Sequence, residues 1–118
     1  MGVTGIGGLF FRAHDPEALK AWYCKHLGVG CGEWGIWEQQ AGTTLLSPFP
    51  ADTDYFAADR DWMLNLRVEE LDELLESLRG AGIEVTTKAE WDDPSTGRFA
   101  RLHDPEGNPI ELWQPPVS

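Results

Sequence analysis

Residues 97–114 read GRFARLHDPEGNPIELWQ and predict a strand, a tight turn and a second strand. The turn has a mechanism in Asp104-Pro105-Glu106-Gly107. Pro105 presets φ at the first central position, and Gly107 and Asn108 tolerate the left-handed backbone that closes a hairpin. Beyond the turn, the strand period of two sends Ile110 and Leu112 to one face and Glu111 and Trp113 to the other. A carboxylate flanked by two aliphatics is unusual for a plain core strand. It sets one acid beside one indole on a face suited to lining a cavity.

Working outward, the same kind of unit is legible twice. Asp15-Pro16-Glu17 opens a helix over residues 15–27, with Asp15 as N-cap and Pro16 at the first helical position. Leu19, Trp22, Tyr23 and Leu27 form its apolar stripe, and Gly28 is the natural stop. Upstream, residues 6–13 read as a strand. In the second half Met63, Leu64, Leu66 and Val68 read as a strand. Leu71, Leu74, Leu75 and Leu78 then give a helical stripe over residues 69–80, with Gly82 as the stop. Arg12 and Arg67 are 55 residues apart, as are Leu19 and Leu74, while Gly28 and Gly82 are 54 apart. Self-similarity at that period means two copies of one supersecondary unit. Further strands are expected at residues 32–37 and 38–46 in the first copy, and at 83–88, 98–103 and 109–113 in the second. The expected fold is therefore α+β, one domain over residues 1–118 made of two β-α-β-β-β modules, 3–59 and 60–118, whose strands form a curved mixed sheet.

Composition narrows the function. A chain of 118 residues with 42% hydrophobic content is an ordinary size for one domain with its own core, and no apolar run approaches a membrane span. The net charge of −11, with nine scattered basic residues, argues against nucleic acid, which needs a basic stripe. The start, MGVTGIGG, lacks the basic and apolar regions of a signal peptide, so the default expectation is cytoplasmic. Cys24 and Cys31 do not form a CxxC motif and are read as separately packed thiols. There is no GxxxxGK[ST] loop, GxSxG elbow or HExxH pair, and the glycine-rich residues 5–8 precede a strand rather than open a helix. Six tryptophans are many for this length, and indoles collect at cores, interfaces and ligand pockets. Trp22 falls on a helix face, whereas Trp37 and Trp113 fall on strands and are candidates for a pocket.

The closing hairpin and the paired β-α-β-β-β units resemble the vicinal oxygen chelate superfamily, which includes glyoxalases, extradiol dioxygenases and bleomycin-resistance proteins. The resemblance covers nearly the whole chain. It implies a cup-shaped sheet and, in metal-dependent members, ligands on the first and last strand of each unit. Imidazole and carboxylate there suit Fe²⁺, Mn²⁺, Ni²⁺ or Zn²⁺ while leaving positions open for two substrate oxygens. Carried onto this chain, the first-strand positions fall on Gly8 and Met63, and residues 43–47 hold no acid. Only Glu111 remains, so no cofactor is expected. A divalent metal enters only through a rebuilt site such as Glu38, His103 and Glu111.

His14, His26 and His103 are otherwise explained as polar residues at loop and helix ends. Without a metal, a buried Glu111 needs an arginine, with Arg12, Arg67, Arg98 and Arg101 available and Arg67 the expected partner because its strand belongs to the same unit. Two functions compete, beside a third in which the domain acts mainly through association with a partner protein. One is a metal-free protein of the bleomycin-resistance type, binding an apolar or aromatic small molecule among Trp37, Phe99 and Trp113, with Arg67 and Arg101 for an anionic group. The other is a metal-dependent lyase, isomerase or dioxygenase in which Glu111 is ligand or base and His103 assists proton transfer. Pocket contacts are expected from the loops at residues 52–61 and 89–96. The resemblance also implies a homodimer, with residues 5–11 as its seam.

Overall fold

The computed structural model describes residues 1–117; the last residue of the second expected module, Ser118, lies outside the described residues. The hairpin forms as its sequence dictates. Strand β2 (Arg98–His103) and strand β3 (Pro109–Gln114) are antiparallel, with Leu102 opposite Ile110 and Arg101 opposite Glu111. Strand β1 (Leu64–Arg67) runs parallel to β3 on its other side, giving a mixed sheet of order β1-β3-β2. Helix α1 spans Pro16–Leu27 and helix α2 spans Leu71–Gly80.

Both helices begin with help from distant side chains. The Asp15 carboxylate accepts from the Ala18 N–H, as an N-cap should, and Pro16 follows at the first helical position. The Glu106 carboxylate, from the hairpin turn, accepts from the N–H groups of His14 (2.6 Å) and Asp15 (2.9 Å). The start of α1 is thereby fastened to the turn. Helix α2 lacks a side-chain cap of its own at Glu70. The Gln114 side-chain oxygen, at the end of β3, accepts from the Leu71 N–H at 2.7 Å instead. That bond satisfies one of the donors every helix start leaves free.

One buried cluster joins Leu19 and Tyr23 of α1 to Leu71, Leu75 and Leu78 of α2 and to Leu66, Ala100, Leu102, Ile110 and Leu112 of the sheet. Burying each leucine or isoleucine contributes about 1.5–3 kcal/mol. Under the turn, Asp104 is only 4% exposed. Its carboxylate accepts from the Tyr23 hydroxyl (2.7 Å), the Glu106 and Asn108 N–H groups and the Asn108 side-chain amide.

The first half differs from expectation. Among the described residues, α1 and a 3-10 turn at Glu33–Gly35 are its only regular elements, so the duplicated β-α-β-β-β arrangement is not seen. Residues 6–13, 32–37 and 38–46 form no ladder. The reasons are local. The 3-10 turn occupies the 32–37 stretch, with Trp34 at φ 60°. Farther on, the carbonyls of Gln40 and Thr43 accept from the Arg67 guanidinium rather than from a strand. In the second half the strand expected at 83–88 is reduced to one antiparallel bridge, Thr86 to Arg101, because the chain turns away into a 3-10 turn at Ala89–Trp91.

The cysteines also depart from expectation, for Cys24 and Cys31 form a disulfide with Cα atoms 5.0 Å apart. Gly28 and Gly30, both at φ 68°, reverse the chain sharply enough to return residue 31 to the last turn of α1. Closing so short a loop stabilises the native state by about 2 kcal/mol. Among the described residues, no helix is long and apolar enough to cross a membrane.

The Asp104 cluster yields a graded test. Tyr23→Phe removes one of its donors and should cost about 1–2 kcal/mol, whereas Asp104→Ala leaves several buried donors unpaired and should cost about 3 kcal/mol. Urea midpoints at unchanged slope would measure both; equal losses would mean that the other donors find water.

Candidate functional site

Strand alternation assigns the two faces of the sheet. Leu64, Leu66, Ala100, Leu102, Ile110 and Leu112 share the register face that carries the core, and Asn65, Arg67, Phe99, Arg101, Glu111 and Trp113 share the other. Glu111 is at the centre of that second face, with Asn65 beside it on β1 and Arg101 beside it on β2.

Glu111 is 7% exposed. One carboxylate oxygen accepts from the Asn65 side-chain amide at 2.7 Å, and the other accepts from the Tyr55 hydroxyl. Among the described residues no ion pair joins it to an arginine, which corrects the expected Arg67 partnership. Arg67 is committed elsewhere, donating to the carbonyls of Thr43 (2.6 Å) and Gln40 (2.7 Å). Two neutral donors suffice to keep a buried carboxylate satisfied at this depth.

Beside this acid opens a cleft of about 620 Å³, walled by Tyr55, Phe56, Thr86, Lys88, Trp91 and Arg101, with Asp52 and Asp54 also contributing. The rings of Tyr55 and Trp91 meet edge to face with centroids 6.3 Å apart. The Arg101 guanidinium carbon lies 4.8 Å from the Tyr55 centroid and 5.5 Å from that of Trp91. The Lys88 ammonium sits 5.3 Å from the Trp91 ring. Both distances to Arg101 are within the range where a ring face attracts a cation.

Burial pushes the Tyr55 phenol up to about 12, and its hydrogen bond to the Glu111 carboxylate adds to that, with Arg101 pulling the other way. Burial likewise raises Tyr23 far above an ordinary phenol, followed by its bond to Asp104. Both hydroxyls are therefore donors throughout the physiological range.

Six residues singled out in the sequence fall as follows. Arg101 lines the cleft, and Glu111 is its cross-strand partner on β3, behind the Tyr55 hydroxyl. Phe99 and Trp113 form the next cross-strand pair, with the Trp113 indole donating to the Thr96 carbonyl at 2.8 Å. His103 ends β2, exposed and opposite Pro109. Trp37 is exposed, in a stretch of the first half that forms no strand. Sequence reasoning missed Tyr55, Phe56, Asn65 and Trp91 individually. The available signal was aromatic residues within the polar, turn-forming loops at residues 52–61 and 89–96, where the cleft does lie.

The metal of the wider superfamily does not fit these residues. Gly8 offers no side chain and Met63 only a thioether, which suits soft ions. Both Glu111 oxygens already accept hydrogen bonds. Among the described residues no three His, Cys, Asp or Glu side chains converge, so Glu38, His103 and Glu111 do not assemble a replacement.

Residues 8–113 match the model of the Glyoxalase-like domain. The chain belongs to that family. Its membership places it in the vicinal oxygen chelate superfamily. Among solved structures, it resembles TnmS3, an antibiotic binding protein from Streptomyces sp. CB03234, at 25% identity over 98% of both chains, with a TM-score of 0.60. A glyoxalase/bleomycin resistance protein from the same Streptomyces strain is 27% identical over 85% of this chain and 91% of that one, with a TM-score of 0.48. No curated protein matches.

Two outcomes follow for the Tyr55–Glu111 pair. An acid whose folded pKa exceeds its unfolded value keeps its proton longer when folded. The Tyr55 contribution is therefore complete below its ordinary 10.0 and declines as pH climbs towards about 12. Tyr23 adds to the same alkaline loss, so the double variant Tyr23→Phe/Tyr55→Phe should flatten the fall in melting temperature above its onset. Glu111→Gln exchanges one acceptor for a donor that faces donors and should cost about 1–2 kcal/mol in urea denaturation; an unchanged midpoint would mean that the carboxylate is solvated.

Proposed function

We propose that this protein is a binding protein of the glyoxalase/bleomycin-resistance type that holds a small, apolar or aromatic molecule against its sheet without the superfamily's full metal site. The observation that carries the reading is the cleft of about 620 Å³ lined by Tyr55, Phe56, Trp91 and Arg101, in which the rings of Tyr55 and Trp91 lie against the Arg101 cation. That volume falls within the roughly 300–1,000 Å³ of small-molecule sites, which combine apolar walls with a few placed polar groups. Likeness to an antibiotic binding protein over nearly the full length supports the same class of role. The metal-dependent lyase, isomerase or dioxygenase alternative lacks its donors at Gly8 and Met63, and its remaining acid is engaged by Tyr55 and Asn65. Phe99 and Trp113 extend the proposed surface along the sheet.

The assembly we propose is a homodimer, with residues 5–11 in the seam. Phe10 is 95% exposed and Leu46 90%, in extended stretches that find no partner strand within the chain. Large apolar side chains left this exposed support an interaction role for the segments that carry them. The proposed setting is the cytoplasm, where the Cys24–Cys31 bond would meet a reducing thiol pool.

Titration of the protein with a panel of aromatic antibiotics, read by tryptophan fluorescence and thermal shift, tests the binding role. A bound member should raise stability by about 2.7 kcal/mol at a hundredfold excess over its dissociation constant. Trp91→Ala should weaken it about tenfold, the worth of one stacked ring. A panel with no binder would sink the reading. So would elemental analysis near one metal per chain that is lost in Glu111→Gln. Light scattering should give twice the chain mass, and a monomer at micromolar concentration would remove the seam.

A further inference from the structure

Tyr55 stands between two opposite charges that the sheet sets side by side. Glu111 and Arg101 are direct cross-strand partners, a spacing at which opposite charges ordinarily attract. They do not form an ion pair. The Tyr55 hydroxyl donates to Glu111, and the Tyr55 ring lies against the Arg101 guanidinium.

Arg101 is left incompletely served. Its Nη1 donates to the Tyr55 main-chain carbonyl at 2.9 Å, whereas Nε and Nη2 are buried and have no acceptor among the described residues. A guanidinium presents its N–H groups as a rigid fork that matches a carboxylate, and buried donors without acceptors cost free energy. The Tyr55 side chain thus supplies a flat ring and a hydroxyl to this face but no acceptor for Nε and Nη2 of the adjoining cation.

We propose that Tyr55 occupies the ligand's own position, and that the ligand is a flat aryl ring carrying both a hydroxyl and a carboxylate or carbonyl oxygen. The hydroxyl donates to Glu111 as the tyrosine does, and the oxygen accepts from Nε and Nη2 of Arg101. The inference rests on the cleft-binding role above and adds the polar pattern that the ligand must carry. Asn65 remains the second donor to Glu111, and Trp91 remains the second ring on Arg101.

Both groups are needed for physical reasons. An aryl hydroxyl alone repeats what Tyr55 already does at no entropic cost of association, so it gains nothing by exchange. An aryl carboxylate alone satisfies Arg101 but takes the donor from one Glu111 oxygen and sets an anion beside it. Only the combination improves on the resident side chain. Exchange is feasible because the segment around Tyr55 consists of turns, held by Thr53 N–H to the Pro50 carbonyl and Arg60 N–H to the Ala57 carbonyl, and contains no strand or helix.

The test uses the full-length protein and a small set of probes: phenol, benzoate, the three hydroxybenzoate isomers and their methoxy analogues, with affinities read by NMR titration. The best hydroxybenzoate isomer should bind about tenfold more tightly than benzoate, phenol or its own methoxy analogue, the worth of one hydrogen bond to a charged group. Tyr55→Ala removes the competitor and should tighten hydroxybenzoate about tenfold, as relief of a self-occupied state does. Arg101→Gln should abolish the preference for the carboxylate. If Tyr55→Ala does not fold, Tyr55→Phe keeps the ring, frees the Glu111 acceptor and should still tighten binding. Probes that bind alike, or Tyr55 variants that bind no more tightly, would overturn the inference while leaving aromatic binding in place. Failure of every probe, together with the antibiotic panel, would take down both.

Discussion

The carboxylate of Asp104 is the constraint on which the rest of the structure depends. A buried carboxylate with no counter-cation is costly, and here the cost is offset by donors from three sources: the Tyr23 hydroxyl of α1, two backbone N–H groups of the turn and the Asn108 side chain. Each member of such a network adds to its stability. Together they fix the shape of the turn, the entry into β3 and the position of α1 at once. Glu106, two residues on, completes the bracket by holding the N–H groups of His14 and Asp15. Arg60 reaches the same place from the other side, donating to the Asn108 side chain and the Glu106 carbonyl. The first and second halves are thus joined by polar bonds around one turn as well as by the apolar cluster.

From that anchor the site follows by register. Because Pro109 begins β3 directly after the Asp104 cluster, the alternation along β3 has no freedom to slip, and a shift of one residue would put Ile110 and Leu112 on the open face. Glu111 must then sit between Asn65 and Arg101. The acid is held by neutral donors on one side and faces a cation that it does not contact. An arginine in direct contact would have locked the pair and filled the face with a closed ion pair. The interposed phenol keeps both groups poised instead.

The hairpin, both helices and the two-faced character of β3 were legible in the sequence because each is decided locally, by turn residues, caps and a period of two. The placement of Arg101, Glu111, Phe99 and Trp113 on a single face was legible for the same reason. What could not be read depends on pairings between segments far apart. Arg67 looked free to meet Glu111, yet the Gln40 and Thr43 carbonyls claim it, and no local pattern announces a side chain bound to a backbone turn. The first-half strands carried apolar residues without the neighbouring strand that would make them a ladder. Tyr55 and Trp91 lie in loops where propensity carries no information about direction. The disulfide depended on two left-handed glycines acting together, Gly28 and Gly30, which a spacing of seven between cysteines does not reveal.

Stability and recognition are therefore carried by different parts of one short chain. The sheet, helices and Asp104 cluster hold Glu111 and Arg101 to a fixed geometry, which is what recognition of a small molecule requires of its polar groups. The aromatic walls belong instead to turn segments outside the helices and strands, tied to the sheet by side-chain bonds such as Tyr55 to Glu111 and Arg101 to the Tyr55 carbonyl. Arg60 ties one end of the Tyr55 loop to the turn, so movement of the phenol does not release the loop as a whole. In the proposed role, a fixed pair of opposite charges beneath the Tyr55 ring would admit ligands of different outline while demanding the same polar pattern from each. Under the proposed binding role, selectivity would rest on a donor and an acceptor held at fixed spacing by β2 and β3 rather than on a coordinated ion.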